Sequence, residues 1–295
     1  MVPEPPIAPS SATSGLGLGG MIPLELPFRQ HHSMSMKPIE TIRGLLLDID
    51  GTLLVNDEPV PGGAGLISSL REARIPFRVT TNTTRRPRAA TAVVLQRAGF
   101  DITAEEILAP AILAGLRILR SGRTRAGLLV PPEVRADLSG IVEDESHPDW
   151  LVVGDIGKGF TWERLNAAFR WLLDGASLLA LHKNRYWHAG AEEGLVLDAG
   201  AFVAALEYSA GVTAEVVGKP SVAFFELALA ELGLPAPQVL VVGDDVETDI
   251  VGGAAAGCRT ALVRTGKFTG DPGELSARRP DLIVDSVSDL ALPLG

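Results

Sequence analysis

Short apolar runs that end in polar residues limit the folds open to this chain. The run "GLLL" ends at Asp48, "FRVT" leads into Thr81, and "VLVVG" ends at Asp244. Continuous apolar runs of this length are typical of strands buried on both faces in a parallel sheet. Because ligands bind outside the carboxyl ends of such strands, these three polar residues predict a site at one edge of a sheet.

The segments between these runs have the spacing of helices that pack on a sheet. In "GAGLISSLREAR", Ile67 and Leu70 fall on one helical face, and "SVAFFELALAELG" ends at Gly233, a residue type that often closes a helix. Strands that alternate with helices over short links predict an α/β fold with a parallel sheet and right-handed crossovers.

The length of 295 residues and the apolar fraction of 46% allow about two domains. Residues 1–36 are rich in proline, glycine and serine, and we predict there either a disordered tail or an over-extended start, with the true beginning near Met34 or Met36. The strand and helix alternation predicts one core domain formed by residues 37–122 and 201–295. Between these halves, residues 123–200 contain all four tryptophans and their own strand and helix patterns, so we predict a second α/β domain inserted into the first.

Two patterns in the tail do not predict binding sites. The string "GLGLGG" has the spacing of a dinucleotide-binding loop, but no strand precedes it and no helix follows it. His31 and His32 have no neighbouring ligand residues, so we do not interpret them as a metal site.

The net charge of −10 argues against a nucleic-acid partner, because phosphate backbones recruit lysine and arginine. No stretch has the roughly 20 apolar residues that a membrane helix needs, and no basic segment precedes an apolar core as in a signal peptide. Cys258, the only cysteine, follows a small-residue helix pattern and is predicted to be a packed thiol. A chain without an internal disulfide fits a reducing compartment, and we predict a cytoplasmic protein.

The string "DIDGT" places two carboxylates, Asp48 and Asp50, on one side of the chain at a strand end. Like charges this close raise the pKa of one of them, and a divalent cation such as Mg²⁺, which prefers oxygen ligands, relieves the repulsion. An aspartate can also attack phosphorus as a nucleophile, and a second one can act as general acid. Gly51 permits a sharp turn that faces backbone N–H groups toward a phosphate. The alternative is an ordinary turn, in which aspartate and glycine are common.

Two other segments carry groups that suit a phosphate. Thr81 and Asn82 can donate hydrogen bonds to phosphate oxygens at a strand end, with Thr80 as the alternative to Thr81. Lys219, within a Gly-Lys-Pro segment after a predicted strand, is a fixed positive charge that can neutralise a phosphate and a nucleophile. Each alone also fits an ordinary role, because threonine and asparagine are common in turns and lysine on surfaces.

The string "VVGDDVETD" places Asp244, Asp245 and Asp249 after a strand. These acids can complete a metal site, and Asp249 has the position of a helix N-cap. Capping alone is the alternative interpretation, although capping and metal binding can coexist.

In this order, "DIDGT", "TN", "GKP" and "GDDVETD" resemble the four motifs of the haloacid dehalogenase superfamily of phosphohydrolases. The insertion resembles the type II α/β cap of that family, and the resemblance runs from about Thr41 to Phe268 and beyond. It implies a Rossmann-like α/β core with an inserted α/β cap. It also implies Mg²⁺-dependent hydrolysis of a small phosphorylated substrate through an aspartyl-phosphate, and a homodimer paired through the cap.

The resemblance also implies a role for each motif residue. Asp48 resembles the nucleophile and a Mg²⁺ ligand, and Asp50 resembles the general acid and base, with its carbonyl on the metal. Asp244 resembles the third protein ligand. The phosphate-binding residues of the family are matched by Thr81, Asn82 and Lys219. Asp249 resembles a residue that orients the site, and Asp245 is placed with it at a position that varies among families.

The residue at position 50 bears on the substrate. Pyrophosphate-cleaving members of this subgroup tend to carry serine there, whereas this chain has Asp50. An acid favours ordinary phosphoester cleavage, in which the leaving alkoxide needs a proton. Two other classes stay open: a phospho-acceptor or binding protein without turnover, and a metal-independent hydrolase of the dehalogenase type.

Residues of the inserted domain supply candidate substrate contacts. A cluster of cations and aromatics suits an anionic or phosphorylated substrate, although such residues also decorate many surfaces; it contains His182, Lys183, Arg185, Tyr186 and His188. The segment with Asp155 and Lys158 mimics a metal motif, but nothing pairs with it in the sequence, and we interpret it as a turn. Trp162 and Trp171 are predicted to pack in the cap core.

Overall fold

The computed structural model describes residues 42–188, 194–268 and 279–290, together with residues 270 and 275. The predicted tail, its glycine-rich string and its two histidines therefore lie outside the described residues.

The described residues contain strands and helices in regular alternation. The strands are β1 (Gly44–Asp48), β2 (Leu54–Val55), β3 (Glu58–Pro59), β4 (Phe77–Thr80), β5 (Ile107–Leu108), β6 (Arg125–Leu129), β7 (Val142–Glu143), β8 (Trp150–Val153), β9 (Ser177–Ala180), β10 (Tyr186–His188), β11 (Leu195–Leu197), β12 (Glu215–Val216), β13 (Val239–Gly243), β14 (Arg259–Val263) and β15 (Leu282–Val284). The α-helices are α1 (Gly63–Glu72), α2 (Arg88–Arg97), α3 (Pro110–Ser121), α4 (Trp162–Leu173), α5 (Ala199–Ala210), α6 (Val222–Leu232) and α7 (Gly252–Ala255). Among the described helices, none has the length and apolar character needed to cross a bilayer.

The core of the described chain is a parallel sheet with the strand order β15-β14-β13-β1-β4-β5. Strand β1 lies between β13 and β4, with Leu47 opposite Val242 and Asp48 opposite Thr80. Alternate residues of β1 pack into different apolar clusters on the two faces: Leu46 faces α3 and α6, and Leu45 faces α1 and α2. The predicted α/β core is confirmed, and both faces are covered because "GLLL" has no polar side to expose.

The inserted cap is a second parallel sheet, with the strand order β12-β9-β8-β6-β7. Helices α4 and α5 cover one face, where Val153, Ala168 and Val203 pack together. On the other face, Val152 of the cap shares an apolar cluster with Phe224 of α6. The cap is therefore packed on the core through an apolar cluster that joins the cap sheet to α6.

The predicted return to the core at residue 201 is too early. Helix α5 packs on the cap sheet, and β12 pairs with β9 as an edge strand of the cap, with Val216 opposite Ala180. The segment "AEVVGK", which the sequence predicts as a core strand, therefore belongs to the cap, and the chain re-enters the core at Lys219. A two-residue edge strand has no sequence signal that tells which sheet it will join.

Predictions about single side chains have different outcomes. Trp162, the first residue of α4, is 72% exposed, so its predicted packing in the cap core is wrong. Trp171 packs against Gly127, where a Cβ atom would collide with its ring, and it contributes to the cap core as predicted. Cys258 is buried in an apolar cluster, which confirms a packed thiol.

Candidate active site

The carboxyl ends of β1, β4 and β13 meet at one edge of the core sheet, under the cap. A cavity of about 780 Å³ opens there between core and cap. Thr81, which does not line the cavity, borders it through a contact with Asp50. The other predicted site residues all line this cavity: Asp48, Asp50, Asn82, Lys219, Asp244, Asp245 and Asp249.

A buried lysine joins two of the acids. The Nζ atom of Lys219 lies 2.5 Å from Oδ1 of Asp48 and 2.6 Å from Oδ1 of Asp249. The three side chains are 2%, 8% and 1% exposed, so water screens these charges little. Burial alone would lower the pKa of Lys219, but Asp249 and Asp48 raise it further than burial lowers it, and the lysine stays protonated.

Asn82 holds the backbone of this lysine. Its Oδ1 atom accepts a hydrogen bond from the N–H of Lys219 at 2.9 Å, and its Nδ2 atom donates to the carbonyl of Lys219 at 2.8 Å. The sequence predicts a direct phosphate contact for Asn82. The structure gives its amide a positioning role on Lys219 and leaves one Nδ2 hydrogen for other partners.

The two threonines at the end of β4 have different partners, one in the sheet and one in the site. The hydroxyl of Thr81 donates to Oδ2 of Asp50 at 3.4 Å and accepts from the N–H of Thr83 at 2.9 Å. The hydroxyl of Thr80 instead donates to the carbonyl of Leu47 inside the sheet. Thr81, rather than Thr80, is therefore the residue directed to the site.

Three carboxylates offer oxygens at metal-binding distance from one another. In the described residues, one oxygen each of Asp48, Asp244 and Asp249 lie within 4.8 Å of one another, and all three residues are buried. Oxygen-only donors fit Mg²⁺ better than a soft metal. Lys219 is ion-paired to both Asp48 and Asp249, so Asp244 is the one carboxylate of these three that forms no ion pair with this lysine.

The charges of the buried carboxylates favour the binding of a further cation. Burial raises the pKa of Asp48 above its usual range, and Asp249 and Asp244 raise it further, although Lys219 lowers it. Burial raises the pKa of Asp244 to about 6. Burial also raises the pKa of Asp249, against the effect of Lys219. Several buried acids around one lysine are expected to bind a divalent cation, which removes this excess negative charge.

A loop after β14 fixes the carboxylate of Asp244. The N–H of Lys267 donates to Oδ2 of Asp244 at 2.6 Å. Gly51, at φ +92°, and Gly266 lie so close that a Cβ atom on either would collide with this carboxylate. Sequence reasoning missed Gly266 and Lys267 as site residues. The signal available in the sequence was a Gly-Lys pair shortly after an apolar strand.

Asp245, rather than Asp249, caps the segment that follows β13. Its Oδ1 atom accepts from the N–H groups of Glu247 and Thr248 at 2.9 and 3.0 Å, at the start of a π-helical turn (Val246–Val251). Burial would raise the pKa of Asp245, but Lys267, with Nζ at 2.9 Å, lowers it below its usual range. The predicted N-cap role of Asp249 is wrong, since this residue is buried inside the turn and faces Lys219.

The cap contributes a different set of side chains from the predicted one. Of the predicted contacts, His182 lines the cavity, whereas Lys183 pairs with Glu207 and Arg185 lies over the exposed ring of Tyr186. The side chain of His188 lies outside the described residues. The cap residues that sequence reasoning did not assign to the cavity are Asp155, Asn184, Trp187 and Asp198.

Asp155 stabilises a turn and also lines the cavity. Its Oδ1 atom accepts from the N–H of Gly157 at 2.8 Å, which confirms the predicted turn. The residue is also buried and faces the cavity, and Arg85 pairs with it at 3.4 Å. The sequence did not indicate this ion pair, because Arg85 lies far away from Asp155 in the sequence, after β4.

The hairpin β2–β3 forms one rim of the cavity and was not predicted. Its two-residue turn places Asn56 at φ 53° and Asp57 at φ 62°, and both residues line the cavity. Positive φ at both positions is typical of a turn that matches the twist of a hairpin, and asparagine and aspartate tolerate it. The Asn-Asp pair in the sequence was the signal that could have predicted this hairpin turn.

Comparisons with known proteins agree with this geometry. A model of haloacid dehalogenase-like hydrolases matches residues 45–139, and a HAD-hydrolase-like model matches residues 216–290. The phospholysine phosphohistidine inorganic pyrophosphate phosphatase of Bos taurus is 38% identical over 254 residues, which cover 84% of this chain and 92% of that protein. Haloacid dehalogenase-like hydrolase domain-containing protein 2 of Bos taurus is 37% identical over 227 residues, covering 77% and 86%.

A solved structure shows the same architecture over nearly its whole length. The 4-nitrophenylphosphatase from Thermotoga maritima has a TM-score of 0.79 and 29% identity, and the match covers 87% of this chain and 99% of that one. The two sequence relatives are 38% and 37% identical over 84% and 77% of this chain, which is enough to place the chains in one family. The structural match covers 87% of this chain. The resemblance drawn from the four motifs is thus confirmed, and this chain belongs to the haloacid dehalogenase-like hydrolase family.

Proposed function

We propose that this protein is a Mg²⁺-dependent phosphatase that hydrolyses small phosphorylated compounds through an aspartyl-phosphate on Asp48. One observation carries the proposal: Asp48 is buried on the floor of the cavity, ion-paired to Lys219, with Asp50 and Asp244 beside it. A carboxylate held by a lysine in a water-poor site can attack phosphorus once the negative charge around it is neutralised. The relatives that are named as phosphatases support the same class of reaction.

The first step transfers the phosphoryl group to the protein. A carboxylate oxygen of Asp48 attacks phosphorus in line with the leaving oxygen, and the bond between phosphorus and that oxygen breaks. Asp50, which accepts a hydrogen bond from Thr81, gives its proton to the leaving oxygen. Lys219 neutralises charge on Asp48 and on the transferred group, and Asn82 holds it in place through the lysine backbone.

The second step releases phosphate. Asp50, now a carboxylate, takes a proton from water, and the water oxygen attacks phosphorus. The bond to Asp48 breaks and inorganic phosphate leaves, so both acids return to their starting protonation states. The carboxylates of Asp48 and Asp244 would hold Mg²⁺ together with the backbone carbonyl of Asp50. When bound, the ion supplies positive charge that offsets these acids and the phosphate oxygens.

The test measures 4-nitrophenyl phosphate hydrolysis by the purified protein with Mg²⁺ and with EDTA. We expect turnover with Mg²⁺ that EDTA abolishes and that Asp48→Asn removes. The control variant is Asp174→Asn, the same substitution at an exposed carboxylate that does not line the cavity; it should keep full activity. Activity that survives EDTA would favour the metal-independent hydrolase, and stable phosphorylation of the chain without turnover would favour the phospho-acceptor.

Two further parts of the proposal rest on the sequence. A single buried cysteine is compatible with the reducing cytoplasm, and fractionation of cells that express the tagged chain tests that location. The family resemblance suggests a homodimer paired through the cap, and sedimentation equilibrium tests it. A monomer at all concentrations would remove the dimer without affecting the proposed chemistry.

A further inference from the structure

The cap side of the active-site cavity includes three buried polar residues. Asp155, His182 and Asp198 are 4%, 3% and 5% exposed, and all three line the cavity. We call these three residues the cap wall. Because the phosphoryl group must sit at Asp48, the cap wall faces whatever part of the substrate leaves with the oxygen.

The two ring nitrogens of His182 are hydrogen-bonded to Asn184 and Thr84 and not to Asp198. Its Nδ1 atom accepts from the N–H of Asn184 at 3.3 Å, so the neutral ring carries its hydrogen on Nε2. That nitrogen lies 3.2 Å from the hydroxyl oxygen of Thr84, which also accepts from the N–H of Asp155. Nε2 lies 3.6 Å from Oδ1 of Asp198, beyond hydrogen-bond distance. Burial lowers the pKa of His182, which keeps the ring neutral near pH 7.

The arginine that reaches the cap wall is also engaged elsewhere. The Nε atom of Arg85 lies 3.4 Å from Oδ2 of Asp155, and its guanidinium lies over the ring of Trp187, 4.8 Å from the ring centre. Arg85 therefore compensates Asp155. Within the described part of the chain, His182 is the one basic side chain within ion-pair range of Asp198.

Among the described residues, Asp198 thus has a backbone partner for its buried carboxylate but no cationic partner. Its Oδ1 atom accepts from the N–H of Ala199 at 2.7 Å, as the N-cap of α5. A buried carboxylate that lacks a cation is costly, and the cost is recovered when a ligand supplies the positive charge. A negatively charged leaving group would meet this carboxylate with repulsion.

We propose that Asp198 is a specificity-determining residue that binds a protonated amino group on the leaving group of the substrate. The inference rests on the proposed phosphatase function and names its substrate class: phosphomonoesters of amino alcohols and related amines. It differs from the prediction of an anionic substrate drawn from Lys183 and Arg185, because those side chains do not line the cavity.

The test compares three series of alkyl phosphates of increasing chain length, which end in an ammonium, a hydroxyl or a carboxylate. We expect the highest kcat/KM for an ammonium-ended compound of one chain length and the lowest for the carboxylate series. Asp198→Asn keeps a side chain that can cap α5 but removes the charge. It should lower kcat/KM for the ammonium series roughly tenfold or more relative to kcat/KM for the hydroxyl series. The control is Asp174→Asn, with the same charge change outside the cavity.

Hydrolysis of 4-nitrophenyl phosphate separates this inference from the proposed function. If the protein hydrolyses that compound but shows no preference for the ammonium series, the role of Asp198 is wrong and the phosphatase proposal stands. An Asp198→Asn variant that loses activity equally in all three series would show a merely structural role and overturn the inference. If wild-type protein hydrolyses none of these compounds, the proposed function itself fails.

Discussion

Replacing Lys219 by methionine should destabilise the metal-free protein far more than an ordinary lysine replacement. The lysine is 2% exposed, and its Nζ atom lies 2.5 and 2.6 Å from carboxylates that are themselves buried. Removing one partner of a buried ion pair leaves an uncompensated charge, which costs about 3–5 kcal/mol. Here two carboxylates, Asp48 and Asp249, lose their shared cation, so we expect a loss in the free energy of unfolding toward the upper end of that range.

Lys183 supplies a matched control in the same chain. Its Nζ atom lies 2.8 Å from Oε2 of Glu207, a distance similar to those at Lys219, but its side chain is 38% exposed. A solvent-exposed ion pair contributes about 0–1 kcal/mol, so Lys183→Met should cost no more than that. The two variants change the same residue type and remove the same charge, and they differ mainly in burial.

The pH dependence identifies the cause of the loss. Lys219 lowers the pKa of both Asp48 and Asp249, so its removal raises their folded-state values further. An acid with a raised folded-state pKa stabilises the fold at low pH, and this contribution is lost as pH rises. The difference between wild-type protein and Lys219→Met should therefore be small in acid and grow toward pH 8.

The assay is urea unfolding in EDTA, followed by circular dichroism and tryptophan fluorescence, from acid to mildly alkaline pH. Coincident curves from the two probes are needed before free energies are compared. The reasoning is refuted if Lys219→Met loses no more stability than Lys183→Met near neutral pH. A loss that does not vary with pH would also refute it.

Three further predictions concern the same site. Because burial raises the pKa of Asp244 from 3.8 to about 6, a proton competes with the metal in acid, and calorimetry should show Mg²⁺ affinity roughly tenfold weaker at pH 5 than at pH 7; an affinity independent of pH would contradict this. Gly51→Ala should cost about 1–2 kcal/mol in urea unfolding, since φ is +92°, and should weaken Mg²⁺ binding because the new Cβ displaces the carboxylate of Asp244; unchanged binding would show that the carboxylate need not be held there. Asn82→Ala removes two hydrogen bonds to Lys219 and should cost about 1–3 kcal/mol and lower kcat for 4-nitrophenyl phosphate; a normal kcat would end its positioning role.

The sequence by itself determined the core sheet and its reactive edge. Strand β1 is apolar up to its last residue, Asp48, because both faces of the sheet are covered, and this composition is visible without coordinates. Since parallel strands end at the same edge, Asp48, Thr81 and Asp244 were predicted to meet, and the structure brings their strands together. These inferences are local: they need only the period of the apolar residues and the type of residue that follows.

The tertiary structure alone decided which polar groups act together. The sequence could not tell that Asn82 bonds to the backbone of Lys219, because the two residues lie on separate loops that meet only after the sheet forms. For the same reason it placed β12 in the core, although its hydrogen bonds go to β9 of the cap.

The cap shows this limit most clearly, because side-chain direction there depends on packing across the cavity. Composition predicted a cationic contact surface that included Lys183 and Arg185, yet Lys183 pairs with Glu207 and Arg185 lies over the exposed ring of Tyr186. Asp198 faces the cavity instead, since the N-terminus of α5 is packed there. The residue types are written in the sequence, but burial and distance, which set their charges and partners, arise only when distant segments pack against one another.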